Sequence, residues 1–446
     1  MEANKQIEGA ERPAWLKGKR VDEIEFCQEF VRESPLVCVH GSFYTMEGRV
    51  SDEGKLARQI YEKLRPWVKS GVSGLVDRLL ALLRRECWSE ELPRYEDRIL
   101  LADGTLWLDG GFTVGRCFCR NRLPVYYEPG GPAPVRWLAF LKELLWEEDI
   151  PTLQEYLGYC LLPTTRAQRM LMLVGKGGEG KSRIGAVLRA IFGDSMVVNS
   201  LGKIETNRFA RADLEGALLM VDDDMQMEAL PQTNYIKSIV TAEGPLDLEK
   251  KGVQSYQGEL YVRFLGFGNG SLKALYDRSE GFFRRQIILS VRPKDPQRVD
   301  DPALSEKLIR EKNGIFLWCF EGLQRLRANN YRFTVSRRAR ENLKSAFRDA
   351  NNAAEFLRSK GYITLYAEGQ SSSKELYRAY RLWCEDNVSH PLSARSFVGW
   401  LIDNQERFGL SYTNNIFLPD NRRVRGFLGV ETVEREPWQS SSALVM

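Results

Sequence analysis

Hydrophobic residues in the middle of the chain form short apolar runs that alternate with stretches of helical spacing. The runs are Met170–Val174, Leu218–Val221, Leu260–Gly268 and Gln286–Val291. Strands covered by helices on both faces carry such continuous runs, whereas half-exposed strands alternate apolar and polar residues. The pattern therefore predicts an α/β core with a parallel sheet over residues 165–330.

The segment before this core has mixed patterning. Residues 37–45 are typical of a strand pair, and Gly54–Leu64 and Leu75–Arg85 have the apolar spacing of helices. These features predict an N-terminal accessory region, α+β or helical, over residues 1–95.

A third segment is predicted over residues 96–164. Within Ile99–Val114, two apolar strands are separated by Asp103-Gly104, which is a hairpin signal. A Pro/Gly linker at residues 128–134 and two helical patterns, 135–148 and 151–162, complete the segment.

The last third of the chain predicts three helices followed by a basic hairpin. The stretches with helical spacing are 353–360, 372–387 and 392–404, and two strands are predicted within 416–430. This order is typical of a winged helix, so we predict a DNA-binding domain of that kind over residues 331–435 and a flexible Ser-rich tail over 436–446. A winged helix that binds protein fits the pattern equally well. The basic residues of the predicted wing are Arg422, Arg423 and Arg425.

Composition narrows the class without naming a partner. The chain of 446 residues is 43% hydrophobic and 28% charged, as expected for a well-packed protein with several domains. Its net charge of +4 does not by itself demand a nucleic acid. No apolar stretch approaches ~20 residues and the N-terminus is polar, so we predict a cytoplasmic protein without a membrane span.

The strongest chemical signal is the sequence GKGGEGKS at residues 175–182, which fits the phosphate-loop signature G-x-x-x-x-G-K-[ST]. An apolar strand precedes it and a helical pattern follows, as the signature requires. The alternative is a chance Gly-rich turn. The loop predicts binding of ATP with Mg²⁺, in which Lys181 reaches the phosphates and Ser182 holds the metal. The predicted nucleotide-binding residues are Gly175, Gly177, Gly178, Glu179, Gly180, Lys181, Ser182 and Arg183.

Three further elements have the chemistry to complete such a site. The strand 217–221 runs into Asp222-Asp223-Asp224, where one carboxylate would hold Mg²⁺ and a neighbour would polarise the attacking water. Asn269 ends the next strand and could orient that water. Arg284 and Arg285 precede the last strand and could act on a neighbouring subunit's nucleotide. The alternatives are a solvated acidic turn, an ordinary Asn-Gly turn and a surface ion pair.

These four elements, in this order and at this compact spacing, resemble the superfamily 3 helicases, a branch of the AAA+ ATPases. The loop is similar to that of the phage, plasmid and poxvirus primase-helicase group, which typically reads GKGGNGKS. Residues 121–127, 153–159, 236–244 and 375–384 also resemble segments of that group, so the likeness covers roughly 95–430.

The resemblance implies a fold, a site and an activity. The fold is a P-loop AAA+ core, preceded by an oligomerisation segment and followed by a winged helix. Asp224 matches the family's acid and Asp223 its neighbour, which makes both catalytic and metal-binding candidates together with Ser182. Lys181 and Asn269 match further catalytic positions, and Arg285 ranks above Arg284 as the arginine finger.

The activity implied is an ATP-dependent DNA helicase that acts as a homo-hexamer, with hydrolysis at subunit interfaces. It would translocate on single-stranded or forked DNA, replicating a phage, plasmid or mobile element in a bacterial host cell. A separate primase is a possible partner, because residues 1–95 have no cluster of acids with a histidine that would suit a primase. The three consecutive aspartates depart from the family pattern.

The region 248–258 resembles the hairpin that lines the family's central pore. Lys251 matches the motif lysine, and Lys250 and Tyr256 could add a phosphate contact and a base-stacking ring. An exposed basic turn is the plain alternative. Two other functions stay open: an ATP-regulated origin-binding or scaffold protein without processive unwinding, and a P-loop motor that moves something other than DNA.

Overall fold

The computed structural model describes residues 12–50, 52–225, 230, 233–242, 244–252, 254–269, 280–350, 352–387, 391–417 and 422–433. The chain divides into two compact units. The first is formed by residues up to 226 together with 234–270 and 287–339, and the second by 227–233, 271–286 and the residues from 340 onward. No helix among the described residues is long and apolar enough to cross a membrane.

The N-terminal part of the first unit is a small mixed layer of helices and short strands. Its elements are β1 (Leu16–Lys17), β2 (Arg20–Val21), α1 (Glu23–Glu33), β3 (Val37–Val39), β4 (Ser42–Thr45), β5 (Gly48–Arg49), α2 (Glu53–Leu64) and α3 (Val72–Glu86). Asp22 and Asp52 cap α1 and α2 by accepting hydrogen bonds from backbone N–H groups of the first turn. The predicted strand pair and both helices are confirmed, and they share one apolar core.

The next elements join a sheet to two helices. They are β6 (Arg98–Leu101), β7 (Gly104–Trp107), β8 (Phe112–Val114), β9 (Arg122–Leu123), α4 (Val135–Leu144) and α5 (Ile150–Tyr159). The hairpin predicted at Asp103-Gly104 is present as β6 and β7. Ile99 and Trp137 lie in the same buried core as Leu173 and Ile184 of the central sheet region. The predicted boundary near residue 164 therefore does not interrupt the hydrophobic core.

The central elements alternate strands and helices as predicted. They are β10 (Met170–Val174), α6 (Lys181–Phe192), β11 (Met196–Val198), α7 (Leu201–Thr206), α8 (Arg208–Ala212), β12 (Leu219–Met225), α9 (Asn234–Thr241), β13 (Leu246–Leu248), β14 (Tyr256–Gly258), β15 (Arg263–Gly268), α10 (Glu280–Phe283) and β16 (Gln286–Ser290). Within the described residues the main sheet has the order β11-β12-β15-β10-β16. The β10–β15, β12–β15 and β11–β12 ladders are parallel, which confirms the predicted α/β class.

The register of this sheet aligns the ends of its three central strands. Val174 of β10 and Met225 of β12 both lie opposite Gly268 of β15. Asp222 lies opposite Gly266, so β12 has one more residue than β15 over this stretch and forms a bulge. The residues that follow these strands therefore emerge at one edge of the sheet.

Two helices close the first unit, α11 (Leu304–Ile309) and α12 (Lys312–Ala328). α12 packs closely on α5, because Gly158 and Gly322 leave the two backbones free to approach each other. A Cβ on Gly158 would lie 2.3 Å from the carbonyl oxygen of Cys319. A hydrogen bond also joins the two helices, since Gln154 Nε2 of α5 donates to the carbonyl of Trp318 of α12 at 2.8 Å.

The second unit contains helices and an antiparallel sheet. After α13 (Arg337–Ala350), which begins in the first unit, come α14 (Asn352–Arg358), β17 (Ile363–Ser372), α15 (Ser373–Asp386), α16 (Ala394–Asp403), α17 (Gln405–Phe408), β18 (Ser411–Phe417) and β19 (Arg423–Thr432). α15 begins with the capping box predicted from Ser372 and Glu375. β19 lies between β17 and β18. The predicted helices and strand pair are present, while residues 418–421 of the predicted wing lie outside the described residues.

The glycine contact between α5 and α12 makes a testable stability prediction. Gly158→Ala should lower the free energy of unfolding by ~2 kcal/mol or more, because the new methyl group meets backbone atoms that cannot move aside. Gly399→Ala is the matched control, since Gly399 is also helical but has nothing within 4 Å of the added Cβ. That change should be neutral or stabilise by up to ~1 kcal/mol. Calorimetric melting of both variants checks this, and equal shifts would contradict it.

Candidate functional site

The loop between β10 and α6 has a backbone that only glycine adopts readily. Gly177, Gly178 and Gly180 have φ values of +105°, +80° and +110°. Gly175 is needed for a different reason, because an added Cβ would lie 2.4 Å from Cγ2 of Val291. The loop can thus turn its backbone N–H groups toward a shared acceptor at the start of α6.

That acceptor is the side chain of Glu179. Its carboxylate accepts hydrogen bonds from the backbone N–H groups of Lys176, at 2.5 Å, and Gly177, at 3.0 Å. Lys181 Nζ lies 2.8 Å from the second carboxylate oxygen, and both side chains are buried. Burial acts to raise the pKa of Glu179, but the hydrogen bonds from Lys181 and from the loop outweigh it and hold the pKa below its ordinary value. Glu179 is therefore ionised at neutral pH.

A cavity of about 790 Å³ lies beside this loop, at the edge where the central strands end. Predicted site residues from separate elements meet on its wall. They are Gly177, Gly178, Gly180, Lys181, Ser182, Arg183, Asp223, Asp224 and Asn269. Ser182 is exposed in the first turn of α6, where the helix dipole favours negative charge.

The bulge in β12 places the three aspartates in different environments. Asp222 is buried, and its Oδ2 accepts a hydrogen bond of 2.8 Å from the N–H of Leu201. Burial also raises the pKa of the Asp222 carboxyl. Asp223 and Asp224 are both exposed, although neighbours in a regular strand face opposite ways, because the bulge breaks that alternation. The pair implied by the resemblance is thus the pair that lines the cavity.

The oxygen atoms around the cavity suit a small hard cation. Ser182 offers a hydroxyl, and Asp223 and Asp224 offer carboxylates, which are the donors that Mg²⁺ takes when phosphate oxygens and water complete its shell. The Asp223 carboxylate lies beside α6, where its Oδ1 would be 3.8 Å from a Cβ on Gly185. Asn269 Oδ1 would likewise be 3.7 Å from a Cβ on Gly177, so the amide lies next to the loop.

Sequence reasoning missed Arg298, which binds carbonyl groups of the loop. Its guanidinium donates to the carbonyl oxygens of Glu179, at 2.9 Å, and Gly178, at 3.1 Å. Asp300 accepts a third hydrogen bond, and both residues line the cavity. Arg298 lies in an irregular segment after β16 that carries no periodic or motif signal. Only the tertiary fold brings it to the loop.

The two predicted arginine-finger candidates lie in the second unit and differ in exposure. Arg285, ranked first from the resemblance, is buried and donates a hydrogen bond to the carbonyl of Gly281. Arg284 is exposed. A finger must extend from its own subunit to reach a neighbour, which favours the exposed Arg284, while the rank that the resemblance gives to Arg285 stays a prediction.

The predicted hairpin is present as β13 and β14, in which Leu246 pairs with Gly258 and Leu248 with Tyr256. Lys250 Nζ and Tyr256 Oη both donate to Oε2 of Glu215, each at 2.7 Å.

His40 Nδ1 lies 3.0 Å from the other oxygen of Glu215, and the His40 ring lies 5.2 Å from that of Tyr256. The Tyr256 hydroxyl and ring therefore already have partners within the chain, and the base-stacking role stays a prediction. Lys250 is engaged too, while Lys251 is exposed at the turn.

The basic residues of the predicted wing lie at the start of β19. Arg422, Arg423 and Arg425 are exposed. The Arg423 guanidinium lies 5.2 Å from the ring of Phe417 on the paired strand, a cation–π contact that orients it. These residues form a cationic patch at the start of β19 in the second unit.

Comparisons with known proteins add a fold relationship. A family model described as a family of unknown function (DUF5906) matches residues 173–285, from β10 to Arg285. No curated protein sequence matches the chain. The apo structure of the NrS-1 C-terminal region has a TM-score of 0.53 at 11% identity and covers 92% of this chain and 99% of that chain. An A-form apo structure of the same region gives 0.50 at 10% identity, with coverages of 91% and 98%. The likeness is one of fold.

The Glu215 cluster makes stability depend on pH. Although burial opposes it, the hydrogen bonds from Lys250 and Tyr256 lower the Glu215 pKa from 4.5 to about 2. Stabilisation of roughly 3 kcal/mol is therefore fully present well above pH 4.5 and is lost as the pH falls toward 2. Glu215→Gln should unfold at lower denaturant than wild type at pH 6, and the gap should shrink steadily below pH 4.5. A gap independent of pH would contradict this assignment.

Proposed function

We propose that the chain binds and hydrolyses ATP with Mg²⁺ at the cavity beside the glycine-rich loop. The observation that carries this proposal is the meeting of Lys181, Ser182, Asp223, Asp224 and Asn269 on one wall. They come from three separate elements, and each has the side chain that its step requires. Inward-facing loop N–H groups and the N-terminus of α6 suit an anionic phosphate chain.

Each residue has a distinct task in this mechanism. Lys181 and the loop N–H groups bind the phosphate oxygens. The Ser182 hydroxyl and one of the two exposed carboxylates hold Mg²⁺, which neutralises the developing charge when bound. The other carboxylate accepts a proton from the attacking water, and Asn269 orients that water beside the loop. Asp222 positions α7 rather than acting on the substrate.

In this proposal the chain is a superfamily 3 helicase that uses ATP hydrolysis in the replication of a phage, plasmid or mobile element. The AAA+ core would assemble as a homo-hexamer, with Arg284 reaching the nucleotide of the next subunit. Lys251, at the exposed turn of the β13–β14 hairpin, would contact the phosphates of single-stranded DNA. The helices of the second unit and the basic patch at the start of β19 support the proposal of a winged helix that binds duplex DNA at the fork or origin.

One observation favours a second candidate, an ATP-regulated DNA-binding scaffold that does not unwind. Two of the three hairpin groups expected to contact DNA, Lys250 and Tyr256, bind Glu215 instead. Strand displacement on a forked duplex separates the two functions. A helicase displaces the strand with ATP but not with a non-hydrolysable analogue, whereas a scaffold binds with either and displaces with neither.

The acidic pair gives the test of hydrolysis. Asp224→Asn should keep nucleotide binding but lower ATP turnover at least ~100-fold, because metal positioning or proton acceptance fails. Lys181→Ala should abolish turnover through loss of phosphate binding. Asp222→Asn is the matched control on the same strand, and its turnover should stay within a few-fold of wild type once thermal stability is accounted for. Normal turnover in Asp224→Asn with loss of turnover in Asp222→Asn would show that Asp222, and not Asp224, is needed for hydrolysis, which contradicts the assignment.

The hairpin gives the test of coupling to DNA. Lys251→Ala should retain basal ATPase activity but lose stimulation by single-stranded DNA, and DNA binding should depend less steeply on salt. Lys55→Ala removes an equally exposed lysine from the N-terminal region, and it should leave all three measurements unchanged. If single-stranded DNA still stimulates the ATPase activity of Lys251→Ala fully, the hairpin does not contact the DNA as proposed.

A further inference from the structure

Three donors that a phosphate would use in the glycine-rich loop, two backbone N–H groups and the Lys181 ammonium, already bind a side chain of the same loop. The Glu179 carboxylate receives the N–H groups of Lys176 and Gly177, and it pairs with the Nζ of Lys181. Each donor lies within 3.0 Å of a carboxylate oxygen. A carboxylate and a phosphoryl group both present anionic oxygens, so this contact set is the one that a bound phosphate would use.

We propose that Glu179 is an intramolecular competitor of the nucleotide, so that its side chain must leave the loop before a nucleoside di- or triphosphate binds. The inference rests on the proposed ATP site and adds a determinant of affinity to it. Two anions cannot share these donors, because like charges that close repel strongly where little water screens them. Glu179 is therefore an affinity-determining residue rather than a phosphate ligand.

The exchange requires only a side-chain movement. Arg298 binds the carbonyl oxygens of Gly178 and Glu179 and leaves the N–H groups to the anion, so the loop backbone is held whichever anion is present. The glycine conformations set the same backbone in advance. The side chain of Glu179 can then rotate out while the N–H groups stay in place to receive the ligand.

The competitor also discriminates among ligands. The apparent affinity of a site is reduced by the fraction of molecules in which it is free. A charge-assisted contact of this kind makes that reduction about tenfold to a hundredfold. Inorganic phosphate has a single phosphoryl group with which to compete against the Glu179 carboxylate, which is held nearby by the chain. Magnesium pyrophosphate, ADP and ATP have linked phosphates that can make additional contacts with the site. Ligands with two or more linked phosphates should thus displace Glu179 most effectively.

The test compares Glu179→Gln and Glu179→Asn with wild type. Both remove the negative charge, and the shorter asparagine also withdraws from Lys181. Binding of a fluorescent ADP analogue with Mg²⁺ is measured directly, with magnesium pyrophosphate as a competitor. We expect dissociation constants at least ~10-fold lower for both ligands in both variants. Glu306→Gln is the control, because it removes an exposed carboxylate from α11, which packs on α6, without touching the loop.

A second readout does not depend on the fluorescent ligand. Without ligand, the variants bury Lys181 without its counter-charge, so their melting temperatures should fall below wild type. Pyrophosphate should restore that loss and raise their melting temperatures by more than it raises the wild-type value. A smaller or equal ligand-induced rise would count against the competitor role.

The outcomes separate this inference from the proposed function. One outcome is that Lys181→Ala loses nucleotide binding while both Glu179 variants bind nucleotide as wild type does or more weakly. This outcome contradicts the competitor role of Glu179 and still supports the nucleotide site. Failure of wild type and every folded variant to bind ADP, ATP or pyrophosphate overturns the nucleotide site itself. Tighter binding in both Glu179 variants, with Glu306→Gln unchanged, supports the competitor.

Discussion

The candidate site depends on one constraint, the register of three parallel strands. Val174, Gly268 and Met225 lie side by side across β10, β15 and β12, so the chain leaves all three strands at one edge. The backbone hydrogen bonds of the β10–β15 and β12–β15 ladders fix this alignment residue by residue. The phosphate-loop glycines, Asn269 and the aspartates therefore converge without any contact being needed to bring them together.

Much of this arrangement could be predicted from the sequence, and the physical reason is burial. Strands covered by helices on both faces appear in the sequence as continuous apolar runs. The runs therefore predict β10, β12, β15 and β16 to within a few residues of their observed bounds. The loop signature could also be recognised, because glycines at fixed offsets report a backbone requirement. Strand order was not available in this way, because apolar runs do not reveal which run lies beside which. The bulge in β12 was hidden for a related reason, as it is created by the pairing with β15 rather than by the three aspartates themselves.

Other features of the site could not be predicted, because local sequence does not reveal the partner of a charge. Lys250 and Tyr256 are predicted DNA contacts, and Glu215, more than thirty residues earlier, accepts hydrogen bonds from both. The burial of Arg285 beside the exposed Arg284 has no sequence signal either. Arg298 had no signal at all, because its role consists of two hydrogen bonds to carbonyl oxygens far away in the chain.

The same chemistry, a carboxylate with little exposure paired with a lysine, occurs in the glycine-rich loop and beside the β13–β14 hairpin. Glu179 holds Lys181 in the loop, and Glu215 holds Lys250 at the hairpin. Between them, the start of β15 is fixed by Arg263, whose guanidinium donates to the carbonyls of Cys160 and Thr164 in the segment that follows α5. Coupling between sites needs an element with two arrangements as well as a rigid connection. If Glu179 competes with phosphate as proposed above, its side chain would supply the first, and the anchored segment that ends at Asn269 would supply the second.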